Sequence, residues 1–275
     1  MNAPLRLACS NIAWPDDQDA EALACLERHG VSGIEVAPTR LWPCWHGASL
    51  SAARRHAAEF AACGLALPSM QALLFDQPNA QLFGPDGGRA FEQHLGFVAG
   101  LGAGLGATAA VLGAPRNRQR GSLDAAAATG LAVPILRRLA AVYADHGLVL
   151  ALEPARPEYG GDFVTTTFEA LALVQAVDHP GLGLHLDAAA LHAAGERIED
   201  VWAACAGISA RPVHYQLSEP ALGGFEAPQA PQLHNLRFLQ QQAWSGWCAI
   251  EMRSQANGLE RSGPWALLEA LRDGG

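Results

Sequence analysis

Eight short apolar runs, alternating with longer helix-like stretches, predict a closed (β/α)₈ barrel in a single domain spanning residues 1–275. Two observations carry that prediction. The chain has 275 residues, about 34 for each of eight strand-plus-helix units. Four acidic or histidine side chains also close apolar runs at intervals of that size: Glu153 in LVLALEP, Asp187 in GLGLHLD, His214 in RPVHYQLSEP and Glu251 in GWCAIEM. Four strand ends meeting at one rim would form an oxygen- and nitrogen-rich pocket.

The strands are expected at Leu5–Ser10, Gly33–Ala37, Ala66–Gln71, Ala107–Leu112, Leu148–Glu153, Gly181–Asp187, Pro212–Leu217 and Trp247–Met252. Helical patterns rich in Ala, Leu, Glu and Arg fall between them, at Ala20–His29, Ser51–Cys63, Ala90–Leu101, Val133–His146, Phe168–Val177 and Leu233–Ala243. Gly30, Gly64, Gly147 and Gly246 mark helix ends or strand starts. Thr166 and Glu169 have the spacing of a capping box. The run Gly100-Leu-Gly-Ala-Gly-Leu-Gly106 precedes a strand and lacks the G-x-G-x-x-G spacing, so it reads as a helix end and no nucleotide cofactor is expected. No Pro/Ser-rich linker divides the chain.

Strand parity groups the polar residues. Side chains two apart share a face, so Glu153 lies with Val149 and Ala151, Asp187 with His185, His214 with Gln216, and Glu251 with Trp247 and Ala249. The opposite faces carry Leu150, Leu152, Leu184, Leu186, Leu217, Ile250 and Met252, suited to packing under helices. The polar set is therefore expected to face the barrel axis at the C-terminal rim, where enzymes of this architecture work.

Half the residues are hydrophobic, enough for a sizeable core. Eighteen basic against 27 acidic residues give a net charge of −9. That forfeits much of the counterion-release affinity for nucleic acid, so a small polar substrate is expected instead. No apolar run reaches the ~18 residues of a membrane span, and MNAPLRLACSNIAW lacks the segments of a secretory signal. Six cysteines without a CxxC pair read as reduced thiols of a cytoplasmic protein.

Three carboxylates and one imidazole suit one hard or borderline divalent cation, Mn²⁺ first, with Mg²⁺, Co²⁺ or Zn²⁺ as alternatives. Such an ion would polarise a carbonyl and stabilise an enediolate. Glu153 and Glu251, three strands apart in an eight-strand ring, are placed to flank a substrate, one removing a proton and the other returning it.

The ordered motifs SNIAW (10–14), GIEVAPT (33–39), GAPRNR (113–118), LEPARPEYGGDF (152–163), HLDAAALH (185–192), VHYQLSEP (213–220) and AIEM (249–252) resemble the xylose-isomerase-like TIM-barrel superfamily, in particular its sugar (phosphate) isomerase/epimerase group. The resemblance implies metal ligation by Glu153, Asp187, His214 and Glu251, with the two glutamates as the acid/base pair. It also implies a homodimer or homotetramer. Two positions depart from the ketose 3-epimerase pattern: Ala190 stands where a substrate-contacting histidine follows the aspartate, and His214-Tyr215-Gln216 replaces His-x-His. Ketose specificity is therefore not carried over.

Around this set, Glu158, His185, Gln216 and Arg253 are expected to contact substrate; Glu158 alternatively reads as an exposed loop carboxylate, Arg253 as a neutraliser of the acidic rim, and His185 as a partner orienting Asp187 or a core histidine. Glu35 reads as structural or as a residue that orients a ligand, not as a catalytic group. Asn117 and Arg118 are weaker rim candidates, and Trp14, Trp42, Trp45 and His46 form either an apolar wall or loop packing. Ser218–Gln232 is long for a loop of this kind and reads as a lid or as disorder. The expected activity is isomerisation or epimerisation of a small sugar or related keto compound through a cis-enediolate. Its rivals are an inosose-type dehydratase or hydroxypyruvate isomerase on the same fold, an endonuclease-IV-like nuclease, and a non-catalytic sugar-binding barrel.

Overall fold

The computed structural model describes residues 4–208 and 211–273. Eight parallel strands pair in chain order and close on themselves. They are β1 (Arg6–Ser10), β2 (Gly33–Val36), β3 (Ala66–Met70), β4 (Ala109–Leu112), β5 (Val149–Leu152), β6 (Leu182–Asp187), β7 (Pro212–Ser218) and β8 (Trp247–Glu251). The outer layer begins with α1 (Asp19–Arg28), α2 (Pro38–Leu41), α3 (Leu50–Ala62), α4 (Arg89–Leu105), α5 (Ala125–Asp145) and α6 (Thr167–Val177). It continues through α7 (Ala188–Ala194), α8 (Ile198–Ala204), α9 (Gln232–Gln241), α10 (Leu259–Ser262) and α11 (Trp265–Asp273).

All eight expected strands are present, with ends shifted by no more than two residues. The glycine run does close a helix: α4 continues to Leu105, and Gly106 takes the left-handed conformation (φ 78°) that ends it. Within α4, Gly102 and Gly104 let the backbone pack closely, since an added Cβ would collide with Leu148 or Ala53. The helix expected from Val133 starts at Ala125 instead, because Asp124 caps it by accepting from Ala127 N at 2.8 Å, with Pro134 inside. By length and hydropathy α5 resembles a membrane span, but Ile135, Leu136, Leu139 and Tyr143 are buried on its inner side.

Thr166 caps α6, its hydroxyl accepting from Glu169 N at 3.2 Å. The return arm lands one residue early, the Glu169 carboxylate accepting from Thr165 N at 2.6 Å. The short helices α2, α7, α8 and α10 and the final α11 have no counterpart in the expected set. Most are too short for a hydrophobic period to register.

Parity holds in three dimensions. Leu150, Leu152, Leu184, Leu186, Tyr215, Leu217, Cys248 and Ile250 are fully buried under the helices. The axis departs from the usual aliphatic filling of such barrels. Glu35 of β2 accepts from Ser69 of β3 (2.8 Å) and from the Gln216 amide of β7 (2.7 Å), and is hydrogen-bonded to His214 Nε2 (2.6 Å). Gln216 Oε1 meets His185 Nε2 at 2.9 Å. Gln71 donates to Ser10 at 2.6 Å in the same interior. Burying so many polar groups is tolerable because nearly every one has a partner.

Candidate active site

The rim above this network carries three of the four expected residues as an acidic group. Glu153 follows the last residue of β5, while Asp187 and Glu251 end β6 and β8. Asp187 and Glu251 are about 5% and 9% exposed, and Glu153 is intermediate.

Each carboxylate has its own local support. Asp187 is the N-cap of α7: Oδ1 accepts from Ala190 N at 2.6 Å, and Oδ2 accepts from the Ser218 hydroxyl. This explains HLDAAALH as strand, cap and helix in one stretch. Glu153 lies against the backbone of Gly113, where an added Cβ would overlap Oε2. Arg118 is buried beside it, donating from Nε to Gly113 O and from Nη2 to Glu153 O, both at 2.6 Å. Arg118 Nη1 has no partner among the described residues. Burial pulls that guanidinium down to about 10, partly offset by Glu153, so it remains a cation at neutral pH.

The acids repel one another. Burial and the Asp187 charge push Glu153 up to about 8, against relief from Arg118 and Arg156. Glu251 is raised well above its ordinary value by burial, then by Glu153, Asp187 and Glu35, with Arg253 opposing. Asp187 is raised by burial, resisted by its Ser218 and Ala190 hydrogen bonds. These mutual effects place the three in one electrostatic neighbourhood.

His214 stands apart. The register slips by one residue between Leu184 and His185, and beyond it His214 pairs with His185 while Gln216 pairs with Asp187. His214 is therefore one pleat, about 7 Å, beneath the level of Asp187. Its Nε2 is engaged by Glu35. Among the described residues, no three donor atoms from Glu153, Asp187, His214 and Glu251 lie within 4.8 Å of one another; the group that meets this condition is elsewhere. The expected four-ligand sphere is thus three carboxylates at the rim, not closed onto a point, with an imidazole below.

The expected substrate contacts divide similarly. His185 and Gln216 are fully buried and bonded to each other, and both ends of the Gln216 amide are occupied, so they brace the barrel interior instead of facing its mouth. Glu158 is exposed and ion-paired with Arg156, which also donates to Ala189 O at 2.6 Å. Arg253 is exposed, close enough to Glu251 to lower it electrostatically. Asn117 braces the β3 loop through Gln77 O and Ala80 O. Trp14 and Trp42 are buried in loop packing, Trp14 Nε1 donating to Asp19 at 2.7 Å.

The loop after β7 is ordered. Glu219 accepts from Gln229 N and Ala230 N and from the Gln232 amide. Ala221 N donates to Tyr159 OH at 3.0 Å, tying this loop to the one after β5, and Leu222 O accepts from Arg253 N. Ala221 and Leu222 both have positive φ (59° and 56°), a strained conformation for residues with a Cβ. Sequence reading missed Ser218, Tyr159 and Glu219. A serine two residues before a Pro-rich loop carries no signal of its own; only the β6–β7 pairing brings Ser218 to Asp187.

A family model described as xylose isomerase-like TIM barrel matches residues 23–267. The chain belongs to that family. No curated protein matches the sequence. Among solved structures, 3-keto-D-glucoside 4-epimerase from E. coli superposes with TM-score 0.77 at 15% identity, over 98% of this chain and 100% of that one. D-Psicose 3-epimerase from Clostridium cellulolyticum H10 gives 0.73 at 16% identity, over 98% and 97%. A family 2 AP endonuclease from Brucella melitensis gives 0.75 at 16%, over 93% and 97%. At these identities the likeness is one of fold.

The raised carboxylates fix a pH dependence. Glu153 ordinarily titrates near 4.5, and folding lifts it to about 8. The folded protein thus holds the proton more tightly than the unfolded chain. The stability this brings is complete below about pH 4.5 and is lost as pH rises through about 8. Metal-free protein in chelator is expected to melt progressively lower between pH 5 and 8, where acid-unfolding carboxylates elsewhere would give the opposite slope. Melting curves of wild type against Glu153→Gln isolate the effect: the Gln variant should lose this part of the pH dependence.

Proposed function

We propose that this protein is a divalent-metal-dependent isomerase or epimerase of a small sugar or related polyhydroxy keto compound, working by proton transfer with Glu153 and Glu251 as the acid/base pair. The observation that carries this reading is the placement of Glu153 and Glu251, at the ends of β5 and β8, on one rim with Asp187. The sugar epimerases among the similar folds support it.

The donor chemistry fits a cation at the three carboxylates. Burial raises all three acids, the Asp187 charge adds to Glu153 and Glu251, nearby Arg118, Arg156 and Arg253 offset this only in part, and a divalent ion would relieve the excess. Glu153, Asp187 and Glu251 would hold it. His214 would join only through Nδ1, since Nε2 is engaged by Glu35, the kind of carboxylate partner that metal-bound imidazoles keep. Bound there, such an ion supplies Lewis-acid polarisation of a carbonyl and stabilisation of the enediolate charge. Mn²⁺ is the first choice, with Mg²⁺, Co²⁺ and Zn²⁺ as alternatives.

The chain's own residues do the rest. One glutamate, ionised, takes the proton from carbon beside the carbonyl; the other, protonated, returns one from its own side. Asp187 is held still by Ser218 and the α7 backbone. Arg118 fixes the Glu153 main chain and tempers its charge. A net charge of −9 favours a small neutral substrate over nucleic acid.

The test is incubation of Mn²⁺-loaded protein with a panel of ketoses and ketoacids in D₂O. Deuterium entering the carbon beside the carbonyl, with substrate and product of equal mass apart from the label, supports isomerisation or epimerisation. Loss of water identifies a dehydratase. Absence of exchange across the panel, with or without metal, removes the proposal.

A further inference from the structure

We infer that Cys25, His29 and Glu260 form a second cation site, suited to zinc or a cation of similar softness, where the first helix of the barrel meets the last turns of the chain. It is independent of the rim. His29 caps the C-terminal end of α1, the end that leads into the start of β2, so it lies toward the face opposite the carboxylates.

Ligand atoms of the three residues lie within 4.8 Å of one another. Cys25 and His29 are four residues apart, so one helical turn brings them to the same side. Glu260 arrives from α10, 231 residues along the chain from His29. His29 Nε2 and Glu260 Oε1 are 3.3 Å apart. Two ligands bonded to one tetrahedral zinc at ~2.0–2.1 Å lie about 3.3–3.4 Å from each other, so the spacing already matches one edge of that coordination. Glu260 divides its oxygens: Oε2 pairs with Arg28, leaving Oε1 on the His29 side.

The ligands are also held in place. The His29 ring stacks on Trp265 with centroids 4.2 Å apart and planes within 6°, and Arg272 binds the His29 carbonyl. Cys25 is 2% exposed at the base of the group. Sulfur, imidazole nitrogen and carboxylate oxygen form a borderline-soft set, with water as the fourth ligand. Binding replaces the S–H bond of Cys25 by a sulfur–metal bond and releases the proton to solvent. Because that proton must leave, affinity should strengthen with pH.

The experiment is titration of metal-stripped, full-length protein with Co²⁺ and then Zn²⁺. The expected result is a thiolate-to-cobalt charge-transfer absorption, displaced by zinc, and a melting temperature raised by about 5 °C at saturating zinc. The band should vanish in Cys25→Ser. It should persist in Glu153→Gln and Asp187→Asn, which separates it from the rim, and in Cys44→Ser and Cys63→Ser. Because Cys25 is buried, Glu260→Gln provides a second reading: its side chain is 54% exposed, and cobalt affinity should fall at least tenfold with the metal-free melting temperature nearly unchanged. Absence of the band in the wild type, or its survival in Cys25→Ser, overturns the proposal.

Discussion

Glu251→Gln is expected to keep the barrel intact and to lower turnover about a thousandfold, within the range for losing a positioned general acid or base. Glutamine preserves the shape of the side chain and removes its proton chemistry. It also removes an ionisable group whose proton affinity is raised by burial and then by Glu153, Asp187 and Glu35. The variant should therefore melt no lower than wild type. Turnover is measured with the substrate found in the D₂O screen, with metal in excess, alongside a melting curve. Activity within a few-fold of wild type would remove Glu251 from the acid/base pair.

The second large effect concerns stability. Glu35→Ala should destabilise the protein by about 3–5 kcal/mol, the usual result of breaking a buried polar pair from one side. The substitution strips partners from Ser69, from His214 Nε2 and from the Gln216 amide together, and leaves a cavity at the axis. For a chain of this length that is a fall of roughly 10 °C in Tm. Glu35→Gln, which keeps size and part of the bonding, should cost much less. Urea unfolding of both variants is the check, and a loss below about 1 kcal/mol for Glu35→Ala would mean that the network contributes little. Glu35→Gln leaves His214 Nε2 an amide partner that Glu35→Ala removes, so a larger fall in metal affinity for Glu35→Ala than for Glu35→Gln would tie the network to the rim.

Much of the architecture was legible because it rests on local rules. Strand parity separated Leu150 and Leu152 from Glu153, and Leu184 and Leu186 from Asp187; the helices cover the apolar sides as expected. Gly106 ends α4 as its spacing suggested. The errors lie where a local rule had a competitor. The pattern at Val133 hid a helix start eight residues earlier, since Asp124 caps an alanine-rich stretch with little amphipathic signal. The five missed helices are mostly short, and α7 is specified by the Asp187 cap as much as by periodicity.

The site was legible in kind and not in depth. Parity says which face a side chain takes and nothing about its height along the axis. His214 and Gln216 share a face, yet one pleat separates them, and only the β6–β7 register shows that Gln216 is level with Asp187. The bonding of His185 to Gln216 depends on Glu35, which enters from β2 and holds the other end of the Gln216 amide. The same holds for Ser218 on Asp187, Tyr159 on Ala221 and Glu260 beside His29: each contact joins residues at least 31 positions apart.

The sequence by itself determined the eightfold alternation, the apolar and polar faces of each strand, and the presence of acidic residues at the strand ends. These follow from periodicity and capping, which act within a few residues. Tertiary structure alone decided the height of each polar group, its hydrogen-bond partners and the strength of the repulsion among Glu153, Asp187 and Glu251. Those quantities depend on register and burial, which exist only once the barrel has closed.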